Sequence, residues 1–510
     1  MLAYVIRRLG ILFLILFGSS FILYNLAAIS GDPIGELRFS DDPGAAQAII
    51  DLTRQLRLDV PPPLRYFIWL KGVVGIFWGK ADFGLTRDSL SVATEIGNAI
   101  PVSIRLVFVA TFVAIVIGIA SALRQYSRFD YTMTFFAFLL FSLPIFWVAV
   151  LLKQYMAIQF NNFLSDPKIP FGWLLSLSLL TAVFWASVLT RSRGKFWLIF
   201  STVLIFTAVS IKSLEILGWF TNPRLGPVVV FLLSVGIAFA VTHISVGLSN
   251  RTALNASLTM SVLTLGWYFP IQSIFNSQTS ILQILGLGVV TIFVATITSL
   301  FFSRIDRGPL IRTTILTALL SAFLIVVDKY MRTWSAYMSE DAVNYRPVPT
   351  FGQSKPLLPQ EDYWIRTLDI LVHLVLPTIA LTLISLAGYV RFSRGTLLEV
   401  LNQDYIRTAR AKGLTERTVI MRHAFRNTLI PLTTILVADI VGIIGGAIIT
   451  ERVFGWYGMG TLFNKAISTI DLNLLMGVFF ITATLAVLAN LIADLLYSAL
   501  DPRIRAGSGK

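Results

Sequence analysis

The sequence predicts an all-α integral membrane protein of about twelve transmembrane helices, and three observations predict it. Of its 510 residues, 56% are hydrophobic and 13% are charged, with a mean hydropathy of +0.77, more apolar surface than a water-soluble globule of this length can hide. Apolar runs of roughly 20 residues recur, the helix length that crosses a hydrocarbon core about 30 Å thick with every backbone group paired. The basic residues fall in alternate short loops, as the positive-inside bias demands.

In order, the apolar windows are 9–29, 102–123, 133–152, 170–190, 196–211, 227–246, 258–274, 281–302, 314–327, 370–390, 429–449 and 474–497. The first follows Arg7 and Arg8 as a secretory signal would, but it is too long for one and further spans follow, so it reads as an uncleaved helix. From a cytosolic N-terminus, alternation puts every basic loop inside: Arg124 and Arg128, Arg191 to Lys195, Arg251, Arg304 to Arg312, the segment 404–427, and Arg503 with Arg505. Both termini are then cytoplasmic. The hydrophilic segments 30–101 and 329–369 lie outside and hold about half of the acids and half of the prolines. In the first of them, Asp42 and Pro43 predict an N-cap and a first-turn proline, Ile49, Leu52 and Leu56 recur at helical spacing, and Pro61-Pro62-Pro63 ends the helix. Such a short amphipathic helix is either a cap over the bundle or a landing surface for an external partner.

One stretch, "DYIRTARAKGLTERTVIMRHAFRNTLIP" from Asp404 to Pro431, carries six basic and two acidic residues. At the bilayer centre each base would cost about 2.5 to 3.5 kcal/mol, so the stretch belongs in the cytosol. Residues 404–412 read as a short helix with Tyr405, Ile406 and Ala409 on one side and Arg407, Arg410 and Lys412 on others. Gly413 fits a left-handed C-cap followed by the hydrophobic Leu414, Thr415 N-caps a second helix over 416–427, and Pro431 opens the next span. Two short helices joined by a glycine elbow make a knob that a cytosolic partner can grip. An ordinary positive-inside loop is the alternative, against which the small residues at the elbow weigh, because close packing needs them.

Sequence signatures of chemistry are missing. No H-E-x-x-H, G-x-S-x-G or G-x-x-x-x-G-K-[ST] occurs, so the usual metalloprotease, serine-hydrolase and nucleotide-binding signatures are missing and no catalytic residue is assigned. With no cysteine and three histidines, His243, His373 and His423, far apart in sequence, no metal or cofactor is expected, and the histidines should hydrogen-bond locally. The formal charge of +14 lies mostly in loops between spans, which points to membrane lipid and not to nucleic acid. Polar residues inside spans normally mark pathways or pairs. Asp439 reads as either; Asp494, with Asn490 one turn before it, reads as an anchor for Arg503 or Arg505.

The same residues carry a family resemblance. "RTARAKGLTERTVIMRHAFRNTLIP" resembles the cytoplasmic coupling loop of ABC importer permeases of the dipeptide and oligopeptide branch, and "YVIRRL", "FSLPIFW", "ERVFGWYGMG" and "NLIADLLYSALDPRIR" match that branch in order. The resemblance implies a bacterial plasma (inner) membrane, a six-helix type I permease core, a paralogous second permease subunit, two cytoplasmic ATP-binding subunits that carry ATP and Mg, and an external solute-binding protein. It implies coupling through Asp404, Arg407, Ala409, Ala411, Gly413, Leu414, Glu416 and Arg417, and an external gate-like loop built on Glu451, Phe454, Gly458 and Gly460. Arg407 and Thr408 stand where the general importer motif has Glu and Ala, as is usual in this branch, and Tyr457 stands where the branch commonly has proline.

The match covers about the first 158 and last 140 residues; between them six further helices look inserted in an outer loop. The expected organisation is a first helix with an external segment (1–101), the core's first part (102–158), inserted helices with an external loop (159–369), the core's second part (370–500) and a cytoplasmic tail (501–510). Peptide cargo is the leading reading. Nickel chelates, glutathione or opines are same-branch alternatives, and a polytopic membrane enzyme or carrier working through the inserted helices is an alternative of another class.

Overall fold

The computed structural model describes residues 2–122, 128–190, 193–303, 307–359, 361–425, 427–429, 431–433, 435–436 and 448–500. Among these the chain is all-α, with no strand beyond an isolated bridge between Leu85 and Ser91. The helices are α1 Leu2–Ser30, α2 Ala45–Leu56, α3 Pro62–Val74, α4 Val92–Ala122, α5 Arg128–Phe141 and α6 Ile145–Leu152. Then come α7 Phe171–Leu189, α8 Arg193–Ile216, α9 Gly226–Ser245, α10 Arg251–Ile274, α11 Ile281–Phe302 and α12 Arg307–Ser339. The last are α13 Tyr363–Leu401, α14 Asp404–Ala411, α15 Ile448–Phe454, α16 Met459–Ser468 and α17 Leu472–Leu500.

Nine helices among the described residues are long and apolar enough to cross a membrane, and a bent pair makes a tenth. That pair corrects the single span expected over 133–152: the chain turns by 105° between Asp130–Phe141 and Ile145–Ser165. Pro144 is the cause, since its ring forbids helix continuation and leaves it as the N-cap of α6. α10, 24 residues long, was expected to span but is less apolar; Ser257, Ser261 and Thr264 lie buried along it. The window 429–449 lies largely outside the described residues.

The outer segment also differs from expectation. Asp42 does not cap a helix starting at Pro43; its carboxylate accepts from Gly44 N at 2.9 Å and α2 begins at Ala45. α2 ends with Arg57 in the left-handed region (φ 51°), before the prolines. The triplet instead opens a further helix, α3, with Pro62 at its start, where a missing N–H costs nothing.

The fold divides into two compact units: residues 1–153, 351–353 and 374–510, and residues 154–350 with 354–373. In the first unit, α3 packs on α1, and α17 packs on α1, α4 and α16. Their shared core holds Tyr24, Tyr66, Trp69, Ile96, Met459 and Leu462. Tyr66 meets the Ser20 hydroxyl at 2.8 Å and Trp69 donates its indole N–H to Phe83 O at 3.2 Å, so the polar tips of the buried rings are satisfied. Gly118 of α4 lies so close to α13 that a Cβ would sit 3.0 Å from the Tyr389 backbone.

The second unit contains α7–α12. α7 and α8 pair, and α12 packs against α9, α10 and α11 through small and hydroxyl residues. Ala256, Ser257, Thr317 and Ala318 are buried there, the small-residue packing that brings membrane helices close. Asp328 of α12 is buried and accepts from Tyr268 OH (2.5 Å), Arg332 Nε (2.8 Å), Leu225 N (2.7 Å) and Gly226 N (2.9 Å). One carboxylate thus pins α9 and α10 to α12. His373 hydrogen-bonds through Nδ1 to Asp369 O at 2.7 Å, a local bond of the kind expected for the histidines.

Candidate functional site: a basic elbow and a folded-back loop

The elbow after α13 is two-sided. α14 begins at Asp404 with Gln403 as N-cap, and Ile406 and Ala409 turn inward onto Leu397 and Ala122, joined by Val419 and Ala424 from the second limb. Asp404, Tyr405, Arg407, Arg410, Ala411, Lys412, Gly413, Leu414 and Glu416 are exposed. Ala409 is therefore part of the elbow's own core and not of its outer face. Of Arg417 only the backbone is described.

Gly413 adopts φ +76° and donates its N–H to Arg410 O at 2.9 Å, which closes α14 as the left-handed cap expected. Thr415 accepts from Thr418 N at 3.4 Å. The second limb is not one α-helix over 416–427: Glu416–Thr418 is α-helical, and Val419–Ala424 widens into a π-turn, which leaves both Val419 and Ala424 facing the core. Two links cross the bend: Arg410 grips Glu416 through two bonds of 3.1 and 2.6 Å, and Asn427 donates to Tyr405 OH at 2.6 Å. Arg407 lies 3.5 Å from Asp404.

The Arg410 guanidinium holds the Glu416 carboxyl below the usual carboxylate range. This link is fully present above the unfolded value, about pH 4.3, and is lost as pH falls through the lowered one. Being exposed, it orders the bend more than it stabilises the protein. A spin label at Leu414→Cys, clean because the chain has no cysteine, should gain mobility on acidification. With Glu416→Gln the label should already be mobile at neutral pH, and an unchanged spectrum would remove the link from the elbow's order.

The second cluster is the turn between α15 and α16. Glu451 is fully buried; it accepts from Ser103 Oγ at 2.8 Å and from Thr461 N at 2.7 Å, while Ser103 accepts from Met459 N at 2.8 Å. Trp456 N donates to Glu451 O at 2.8 Å. Glycines make this fold-back possible: a Cβ on Gly458 would collide with Glu451 Oε1, and one on Gly460 would lie 2.7 Å from Ile448. Phe454 is buried, and Lys153 reaches over its ring at 6.0 Å while donating to Val453 O at 2.9 Å. The loop is thus held without the proline that Tyr457 replaces; Tyr457 donates to Glu95 at 3.1 Å. Beside it, Lys465 binds Asp88 at 2.7 Å and Arg87 donates to Thr469 O at 3.2 Å, joining the turn's side of the unit to the 30–101 segment.

Asp439 lies outside the described residues, as do Arg503 and Arg505 and the side chain of Asp494. Asn490 donates to Ala486 O of its own helix at 3.0 Å and is exposed. Ser103 and Lys153 were not singled out from sequence; Ser103, just after Pro101 at the opening of an apolar run, is the one that position could have flagged.

A family model for the binding-protein-dependent transport system inner membrane component matches residues 256–506, close to half of the chain. The oligopeptide transport system permease protein OppB of Mycobacterium tuberculosis is 44% identical over 142 residues, 28% of this chain and 44% of that protein. The oligopeptide transport system permease protein AppB of Bacillus subtilis is 46% identical over 136 residues, 27% of this chain and 43% of its own. The dipeptide transport system permease protein DppB of Escherichia coli is 44% identical over 138 residues, covering 27% and 41%. In each case the matched stretch spans less than half of the relative's length. Over residues 256–506 the chain is thus similar to the binding-protein-dependent transport system inner membrane components, and over about 140 residues to dipeptide and oligopeptide permeases.

Proposed function

We propose that this chain is a permease subunit of an ATP-driven importer of dipeptides or oligopeptides, forming the translocation pathway with a paralogous second permease. The observation that carries the reading is the elbow: an exposed basic surface locked to α13 by a buried apolar underside, which turns a push on Leu414 or Arg407 into movement of a membrane helix. Two separate cytoplasmic subunits, holding ATP and Mg, grip that surface. On the other side an external binding protein delivers cargo to the segment 30–101 and the turn at Glu451–Gly460, which acts as a gate. Peptide cargo is supported by the names of the matching relatives, all peptide transport permeases. In this reading the first unit is the permease core, and α7–α12 are an insertion in it. Asp439 and Asp494 line or anchor the core.

In proteoliposomes, ATP-dependent peptide uptake is expected only when the chain is reconstituted with a second permease, the ATP-binding subunits and the binding protein. Uptake at full rate by the chain alone would overturn the reading.

A further inference from the structure

A groove runs between α5 and α13 within the first unit. Its walls are apolar, formed by Ala137, Phe138, Phe141, Ala387, Val390 and Leu398, and two guanidiniums, Arg391 and Arg394, stand in it. Arg394 is 3.3 Å from Thr134 Oγ1 and 3.7 Å from the buried carboxylate of Asp130. Arg391 is exposed and lies over the Phe141 ring at 5.3 Å; among the described residues it has no carboxylate in ion-pair range.

The depth of these cations follows from the sequence of α13. The stretch 370–390 holds no Asp, Glu, Lys or Arg, and at about 1.5 Å per residue it spans about 30 Å, one hydrocarbon thickness. Arg391 is the first charged residue after it, so it sits where hydrocarbon gives way to headgroups, on the side of the elbow. A cation at this level either snorkels to water or takes an anionic partner. Here it is laid on a ring, and the wall residues Phe138 and Phe141 are exposed.

We propose that the α5–α13 groove binds an anionic phospholipid of the leaflet nearest the elbow, its phosphate held between Arg391 and Arg394 and an acyl chain laid along Phe138 and Phe141. The chemistry of the lining selects this occupant. A peptide would bring backbone donors and acceptors, and the walls offer Thr134 as their one uncharged polar side chain. A second copy docked by two-fold symmetry would set Arg391 against its own counterpart, like charge on like.

The test uses the full chain in nanodiscs. A single cysteine at Gly395→Cys, where an added Cβ meets nothing within 4 Å, carries an environment-sensitive fluorophore at the groove. Brominated phosphatidylglycerol should quench it in preference to brominated phosphatidylcholine. That preference should fall about fivefold in Arg391→Gln, persist in Arg391→Lys, and weaken in the parent chain at high salt. Equal quenching by the two lipids, an unchanged preference in Arg391→Gln, or quenching by neither lipid because protein covers the groove would each overturn the proposal. The salt titration needs no substitution at Arg391, so the answer does not depend on how that variant folds.

Discussion

Gly413→Pro is expected to abolish ATP-linked uptake while leaving the chain inserted in the membrane. Gly413 holds φ +76°, and its N–H closes α14 on Arg410 O. Proline fixes φ near −65° and has no N–H, so the bend must open and both cross-links, Arg410 to Glu416 and Tyr405 to Asn427, lose their geometry. Gly413→Ala is the control. Its Cβ would meet nothing within 4 Å, so it adds only the left-handed backbone cost, about 1 kcal/mol, and uptake should fall modestly. Ala409→Trp should also abolish uptake, but for another reason: the indole would be driven into the pocket formed by Leu397, Ile406 and Val419, which damages the elbow itself. Docking is better probed at Leu414, exposed and free of that core. Transport by Gly413→Pro at the parental rate would remove the elbow from the coupling mechanism, whatever the other variants do.

Glu451→Ala is expected to loosen the turn between α15 and α16 and to lower the stability of the first unit. It strands the Ser103 hydroxyl and the Thr461 N–H in a buried site, at about 1 to 3 kcal/mol for each unsatisfied donor. Gly458→Ala should produce much the same loss from a residue with no polar side chain, because its methyl occupies the position of Glu451 Oε1. Since both changes break one network, the double variant should be little worse than either alone, with a coupling of about 0.5 to 3 kcal/mol. Thermal unfolding of the solubilised chain, with protease cleavage of the turn as a local readout, measures this. Additive losses would mean that glutamate and glycine act separately and that the turn is not one unit.

How much of this was legible in sequence depends on how far apart the cooperating residues lie. The elbow was legible because its signals are neighbours: Gly413, Leu414 and Thr415 are consecutive, and each has a local stereochemical reason to stand where it does. Its π-turn was not, since Val419–Ala424 widens to fit Leu397 on another helix and no local preference demands that. The prolines show the same limit. Pro144 was quoted in a motif, but that it breaks a span by 105° depends on how the flanking helices pack. At Pro61–Pro63 a stop was read where the chain makes a start, because a proline that ends one helix is equally suited to open the next.

By itself the sequence determined the all-α membrane class, most of the spans and the basic elbow, since hydropathy, helix length and capping are properties of contiguous residues and the bilayer supplies the rest of the constraint. Only the tertiary structure decided that Glu451 is buried against Ser103, 348 residues away, that Ala409 faces inward, that Asp328 ties helices together, and that Arg391 shares a groove with Phe141. Those contacts join distant parts of the chain, and their geometry exists only once the helices have packed.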